Sequence, residues 1–435
     1  MPRINSLKIR KLGNVAPGTE LRFGPRGAVL LGKNGTGKTT LLDALVNICN
    51  CDLPLLSNED YDLEFSMSCA GDVELHVAAR SEKAESSASG ERASNPVADA
   101  MLSSLQERAR RHTLRVEAVH TVSGERTLLE SNDRETACTL PDGRRVVEPI
   151  SVNDGWMVLL PAAAEDKLTP LGRACLELIW LSRVLRRFDE GLDYFRDLTE
   201  RSWTSASVEF TQISKAGTPE VETGYSIRPA GTRLISLGCA QLLAEDLQRN
   251  KDRATSSSSD SSKVDYLERF CRLADFGQAQ IGADLDEKRL VDGHEVVTLS
   301  PLRFTMTRNG SVLHHRHLSF GQRRLLAFLH YHDSTPSLLM ADELVNGMHH
   351  EWITECVHVM RDTQAFLSSQ NPLLFDFLTF ESAEDVASRF VSCELDDQHR
   401  FVWRNMSADD AREFYETHQA GLQHASEILR TRGYW

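Results

Sequence analysis

The residues Gly32-Lys33-Asn34-Gly35-Thr36-Gly37-Lys38-Thr39 fit the pattern GxxxxGK[ST] in full. They follow the apolar run Ala28, Val29, Leu30, Leu31. They open a stretch that places Leu41, Leu42, Leu45 and Ile48 on one helical face. Strand, turn and helix are the context this pattern needs to hold phosphate. The glycines let backbone amides turn inward around phosphate oxygens, and the helix start adds its positive end. Lys38 has the reach for β- and γ-phosphates. Thr39, followed by Thr40, offers a hydroxyl to Mg²⁺.

A second element is Ser337-Leu338-Leu339-Met340-Ala341-Asp342-Glu343, an apolar strand ending in two acids. A carboxylate at the end of such a strand can hold Mg²⁺ through water, the role expected of Asp342. The next acid, Glu343, can polarise an attacking water. A third element, Leu318-Ser319-Phe320-Gly321-Gln322, sits between the other two.

These three motifs, in this order, resemble those of the ABC-type ATPases, whose signature reads LSGGQ. The resemblance implies that Ser319 and Gly321, with Gln322, meet the γ-phosphate of an ATP held by a second subunit. The opening INSLKIRKLGNV and the run AVLLGKNGTGKTTLLDAL are similar to the RecF/SMC-like branch, which includes AAA/OLD-type ATPases, rather than to transporter subunits. Residues 342–350, DELVNGMHH, resemble the DE…NGLH form of that branch, with 346–349 as its D-loop. Ser368-Ser369-Gln370-Asn371-Pro372 resembles its switch segment, with Gln370 where the family has histidine. A glutamine can hydrogen-bond a γ-phosphate but carries no charge, so slow turnover is expected. No glutamine stands in a recognisable Q-loop.

The elements that must position these groups are legible in outline. Short strands are expected around Ile4–Ile9, Leu21–Phe23 and 60–80, with further strand pieces at 113–129 and 145–161, among them a buried strand at 157–161. Residues 81–97 read as a loop. A helix is expected to begin at Pro170, its stripe continuing through Leu185, Phe188 and Leu192. Further helices are expected at 233–249 and 263–275, with a linker at 255–262. From 302 onward helices and strands alternate, as over a mostly parallel sheet, and a hairpin at 389–404 precedes helix at 407–430. The fold class expected is α/β: an ABC-type ATPase head with a P-loop core and an inserted, mainly helical lobe with β pieces. Four segments follow: 1–82 with the phosphate loop, 83–165, 166–295, and 296–435 with the signature and strand-DE.

Composition narrows the function. The chain of 435 residues carries a formal net charge of −14, which argues against bulk-charge coating of nucleic acid. No apolar run is long enough to span a membrane, and a cytoplasmic location is expected. The nine cysteines form no CxxC pair and read as reduced core thiols. His314, His315 and His317 read as a polar strand end. Arg323 and Arg324 read as a solvated helix face; Arg183, Arg186 and Arg187 form a basic patch that reads as a solvated face, with a DNA-facing surface as the alternative. The resemblance implies a switch: ATP and Mg²⁺ close a head-to-head homodimer or higher oligomer, and hydrolysis reopens it. By the same resemblance it would sense DNA or a phage product and control a separately encoded nuclease or toxin, as stand-alone ATPase subunits of bacterial anti-phage systems do. The alternatives are a RecF-like DNA repair ATPase and an ATP-binding scaffold with little hydrolysis.

Overall fold

In the computed structural model the residues described are 2–56, 60–83, 110–163, 169–213, 219–229, 253–257, 264–291, 294–335, 337–421 and 423–434. They divide into two compact units. One gathers residues 1–185, 364–368 and 380–435, the other 186–363 and 369–379.

The first unit begins with β1 (Arg3–Leu12), β2 (Thr19–Arg22) and β3 (Gly27–Leu31), then α1 (Lys38–Asn50). β4 (Tyr61–Cys69), β5 (Val73–Lys83), β6 (Arg110–His120), β7 (Arg126–Asn132), β8 (Thr136–Thr139) and β9 (Arg145–Glu148) follow as an antiparallel meander. β1 joins it through β4. Strand β5 alternates buried and open positions, as a half-covered antiparallel strand must. It runs through Lys83, so the start of the loop expected at 81–97 is strand; its residues from 84 on lie outside the described set.

The buried strand expected at 157–161 is helical instead. A 3₁₀ segment covers Val152–Leu159 and α2 covers Leu160–Ala163. Ser151 and Asp154 form a capping box at the start of this segment, the Ser151 amide donating to Asp154 at 2.7 Å, and a kink at Gly155, at φ 61°, separates that first turn from the helical run at 157–161. Val158, Leu159 and Pro161 are buried, Met157 and Leu160 only partly, and Trp156 donates to the Cys49 carbonyl at 2.7 Å. α3 (Pro170–Val184) starts at the expected proline, capped by Thr169. It stops at Val184, because Leu185 turns extended, and Phe188 belongs to a strand rather than to the helical stripe.

The second unit opens with β10 (Arg187–Phe188) and α4 (Asp193–Glu200). β11 (Trp203–Ile213), β12 (Pro219–Pro229), β13 (Arg253–Ser257), β14 (Gln278–Val291), β15 (His294–Leu299), β16 (Arg303–Arg308) and β17 (Ser311–His314) build an antiparallel sheet. The β pieces of this region are thus long. Part of the linker expected at 255–262 is strand β13, and the helix expected at 233–249 lies outside the described residues. α5 (Asp265–Ala274) matches the helix expected at 263–275. α6 (Phe320–Ser334), β18 (Leu338–Ala341) and α7 (His350–Val359) carry the motifs. β18 is buried at every position and runs parallel to β10.

The chain then returns to the first unit with β19 (Gln364–Ser368). α8 (Leu373–Asp376) belongs to the second, and α9 (Ala383–Arg389), β20 (Phe390–Leu395), β21 (Phe401–Asn405), α10 (Ala408–Gln419) and α11 (Ala425–Thr431) to the first. β3 lies parallel between β19 and β20, with all five residues buried, and β20 turns back into β21. A continuous apolar run is what a parallel strand covered on both faces requires. The eight described cysteines are all free and buried, and burial pushes thiols such as Cys175 and Cys393 up to about 12.

Gln364 ties the two sheets of the first unit together. Its side chain accepts from the Ile4 amide at 2.8 Å and donates to the carbonyls of Ile4 and Gly24 at 2.8 and 2.9 Å. Stranding buried backbone groups costs about 1–3 kcal/mol each. Gln364→Leu should therefore lower unfolding stability by about 2–4 kcal/mol, read as a lower urea midpoint. An unchanged midpoint would mean that water or relaxation satisfies those groups.

Candidate functional site

The phosphate-loop residues belong to the first unit. Gly32, at φ 141°, presses on the C-terminal hairpin: a Cβ there would sit 2.2 Å from the Cys393 carbonyl oxygen. Gly37, at φ 83°, lies against the Phe401 ring, 2.7 Å from where a Cβ would be. Gly35, also left-handed, faces open space. The loop is thus backed by β20 and β21 and open on its other side. Thr36 closes the turn by donating to the Lys33 carbonyl at 2.8 Å. Lys38 is buried and donates to the carbonyls of Gly32 at 2.7 Å and Lys33 at 3.0 Å. α1 starts from Gly37 with no side-chain cap and no acid in its first turn. Its leading amides keep their positive end, which favours an anion. Lys33, Asn34, Thr39 and Thr40 are exposed beside them.

The second unit holds the other candidates. α6 starts differently from α1. Ser319 caps it: its hydroxyl oxygen accepts from the Gln322 amide at 3.2 Å, and Gln322 accepts from the Ser319 amide at 3.0 Å. The serine O–H remains able to donate outward, and Ser319 is exposed. Gly321 abuts the turn after β18. A Cβ there would lie 2.4 Å from the Gly347 carbonyl oxygen and 3.2 Å from the Trp352 ring. Gly347, at φ 71°, sits in turn against Phe320.

Asp342 and Glu343 directly follow β18 and are both buried. Asp342 receives a hydrogen bond from Arg187 at 3.0 Å, and its amide donates to the Phe188 carbonyl at 2.7 Å. Asp342 is therefore already paired with a cation. Glu343 adopts φ 50°, a left-handed conformation that costs a side-chain-bearing residue about 1–2 kcal/mol. Its carboxylate accepts from the Gln370 amide at 2.8 Å. Gln370 thus stands beside Glu343 as the motif order suggests, but its backbone makes the contact and its side chain is exposed. Ser369 fixes that turn, accepting from the Asn371 amide at 2.9 Å.

Three arginines read as solvated turn out otherwise. Arg187, on β10, is the partner of Asp342. Arg324 is 0% exposed. It donates to the carbonyls of Leu344 and Asp189 at 3.0 Å, Gly191 at 2.9 Å, and also Glu190 and Glu343. The signal was present in its spacing: Gly321, Arg324, Leu325 and Phe328 form one buried helical stripe. Arg186 likewise pairs with Asp197 at 2.7 Å. The His314–His317 segment is a strand end and 3₁₀ turn, as expected. His315 accepts from the Phe304 amide at 3.0 Å, and burial pulls its pKa down to about 4, leaving it neutral. Among the described residues no cluster of three metal-ligating side chains occurs.

No family model and no curated protein matches the chain. Solved structures similar to it include SMC heads. One is an SMC head bound to the C-terminal winged-helix domain of ScpA, at 10% identity and a TM-score of 0.41, covering 94% of this chain and 99% of that one. The SMC head domain from Thermotoga maritima gives 9% and 0.36, over 93% and 99%. The Pyrococcus yayanosii Smc head with a coiled coil and joint gives 10% and 0.37, over 96% and 100%.

The close approach of Gly321 to the Gly347 carbonyl can be tested. Gly321→Ala puts a methyl into the Gly347 carbonyl, and the 345–348 turn must move. Overpacking of this kind costs about 1–3 kcal/mol. Thermal stability should fall accordingly, with faster amide exchange confined to 345–348; exchange unchanged there would contradict the contact.

Proposed function

We propose that the protein is an ATP-driven switch in which ATP draws two copies together head to head and hydrolysis lets them part. The 32–40 loop takes the triphosphate, with the Lys38 ammonium moving from the loop carbonyls to phosphate oxygens. In this reading a magnesium ion would take the hydroxyl of Thr39 and the carboxylate of Asp342, which is held by Arg187. Magnesium bound there would neutralise charge on the β- and γ-phosphates. Arg187 must release Asp342 first. Glu343 takes a proton from water as the water oxygen bonds to the γ-phosphorus and the bond to the β–γ bridging oxygen breaks, leaving ADP and phosphate. Ser319 and Gly321 of a second copy add a hydroxyl, an amide and a helix start to the same phosphate.

The observation that carries this reading is Glu343: a buried carboxylate beside Asp342 at the end of an apolar strand, held by the amide of Gln370. With Gln370 supplying no charge at the switch position, turnover is slow. The dimer's target is a separately encoded nuclease or toxin of bacterial defence; this rests on the motif resemblance alone.

Three outcomes follow. Lys38→Ala should abolish ATP binding in equilibrium dialysis. Glu343→Gln should retain binding, lose turnover by at least about a hundredfold and persist as an ATP-bound dimer in light scattering; a monomer at saturating ATP contradicts the switch. Arg187→Met should lower the magnesium concentration that half-saturates dimer formation several-fold, and an unchanged requirement would mean that Arg187 does not compete for Asp342. Mass spectrometry of what co-purifies with Glu343→Gln identifies the target, and repair proteins with DNA in its place would favour the RecF-like alternative.

A further inference from the structure

We infer that Arg324 is a positioning residue that couples the start of the signature helix to the backbone of Glu343. The inference rests on the switch reading and concerns how dimer closure reaches the water-activating group.

Arg324 lies in the second turn of α6, five residues beyond Ser319, with no exposed surface. Its guanidinium ties two separate segments, 189–191 and 342–344, to α6. Nη1 faces the carbonyls of Asp189, Glu190 and Gly191, in the turn that follows β10. Nε donates to the Leu344 carbonyl at 3.0 Å. Nη2 donates to the Glu343 carbonyl and lies 3.4 Å from that of Asp342. A planar fork of five N–H donors suits this arrangement, and a lysine ammonium cannot span it. Burial lowers the pKa of Arg324, and the nearby carboxylates of Asp189 and Glu190 oppose the loss of its charge. The group is therefore best retained for its bonds, since an apolar side chain would fill the space without the desolvation penalty.

The bonded carbonyl of Glu343 belongs to the residue held at φ 50°. Its orientation decides where the carboxylate points. The same turn also touches α6 at Gly321 through the Gly347 carbonyl. The 189–191 turn closes the circuit, because Asn346 donates to Glu190 at 3.2 Å. A displacement of Ser319 and Gly321 on meeting the phosphate of the other copy is thus passed, one turn along α6, to the backbone that aims Glu343. Closure of the dimer and activation of water become one event.

The test is Arg324→Lys in the full chain, with ATP as the probe. Expected are an ATP dissociation constant within twofold of wild type, an ATP-dependent dimer in light scattering, and turnover per dimer lower by at least tenfold with KM little changed. Turnover per dimer within twofold of wild type overturns the coupling. Because the lysine variant could fold poorly, a second measurement uses Glu343→Gln. Hydrogen exchange with and without ATP should show 189–191 and 343–346 gaining protection together with 319–324. Protection gained at 319–324 alone overturns the coupling. Failure of wild type and Glu343→Gln to dimerise with ATP overturns the switch reading instead, and the coupling with it.

Discussion

A carboxylate can be buried only where something satisfies it, and the second unit is arranged around satisfying one. Glu343 follows a strand buried at every position, in a left-handed conformation, with its side chain on the Gln370 amide and its carbonyl on Arg324. Neither support is local: one comes from the turn after β19 and the other from α6. The aromatic cluster beneath, where Phe188 stacks on Tyr331 and Tyr194 bonds His330 at 2.8 Å, holds α6 against β10 and β18. Tyr331 links the two directly, donating to the Arg186 carbonyl and accepting from the Met340 amide at 3.3 Å. The catalytic proposal depends on this packing as much as on the acid itself.

The two motif-bearing helices complement each other in how they begin. α1 starts bare, its amides unclaimed by any cap and its loop carbonyls occupied by Lys38. α6 starts satisfied, with Ser319 and Gln322 closing a capping box. The first arrangement has no side-chain cap at its start. The second keeps its shape without a bound anion and has a hydroxyl proton to offer. That asymmetry is what a site assembled from two copies would need: one half that binds nucleotide alone and one that engages only when the nucleotide is presented to it.

Much of this was legible in the sequence because the chemistry restricts spacing. The strand-loop-helix around residues 27–50, the strand before Asp342 and the helix after Ser319 lie where the motifs place them. Apolar runs were less decisive. The run at 157–161 has the composition of a buried strand, yet it is helical, because burial alone does not distinguish a short strand from a short helix. Arg187 and Arg324 were hidden for another reason: their partners include groups more than a hundred residues away in the chain. A charge in an apolar stripe is the one local sign that such a partner exists.

The central claim is that one copy's phosphate loop and another copy's signature complete a single site. Mixing two inactive variants tests it directly. Lys38→Ala lacks the loop lysine, and Ser319→Arg blocks the signature. A mixed dimer contains one intact combination, the loop of the Ser319→Arg copy facing the signature of the Lys38→Ala copy. The account predicts that mixing restores ATP hydrolysis to a substantial fraction of wild type, where neither variant alone hydrolyses. No gain on mixing, with ATP binding to the Ser319→Arg copy intact, would contradict it.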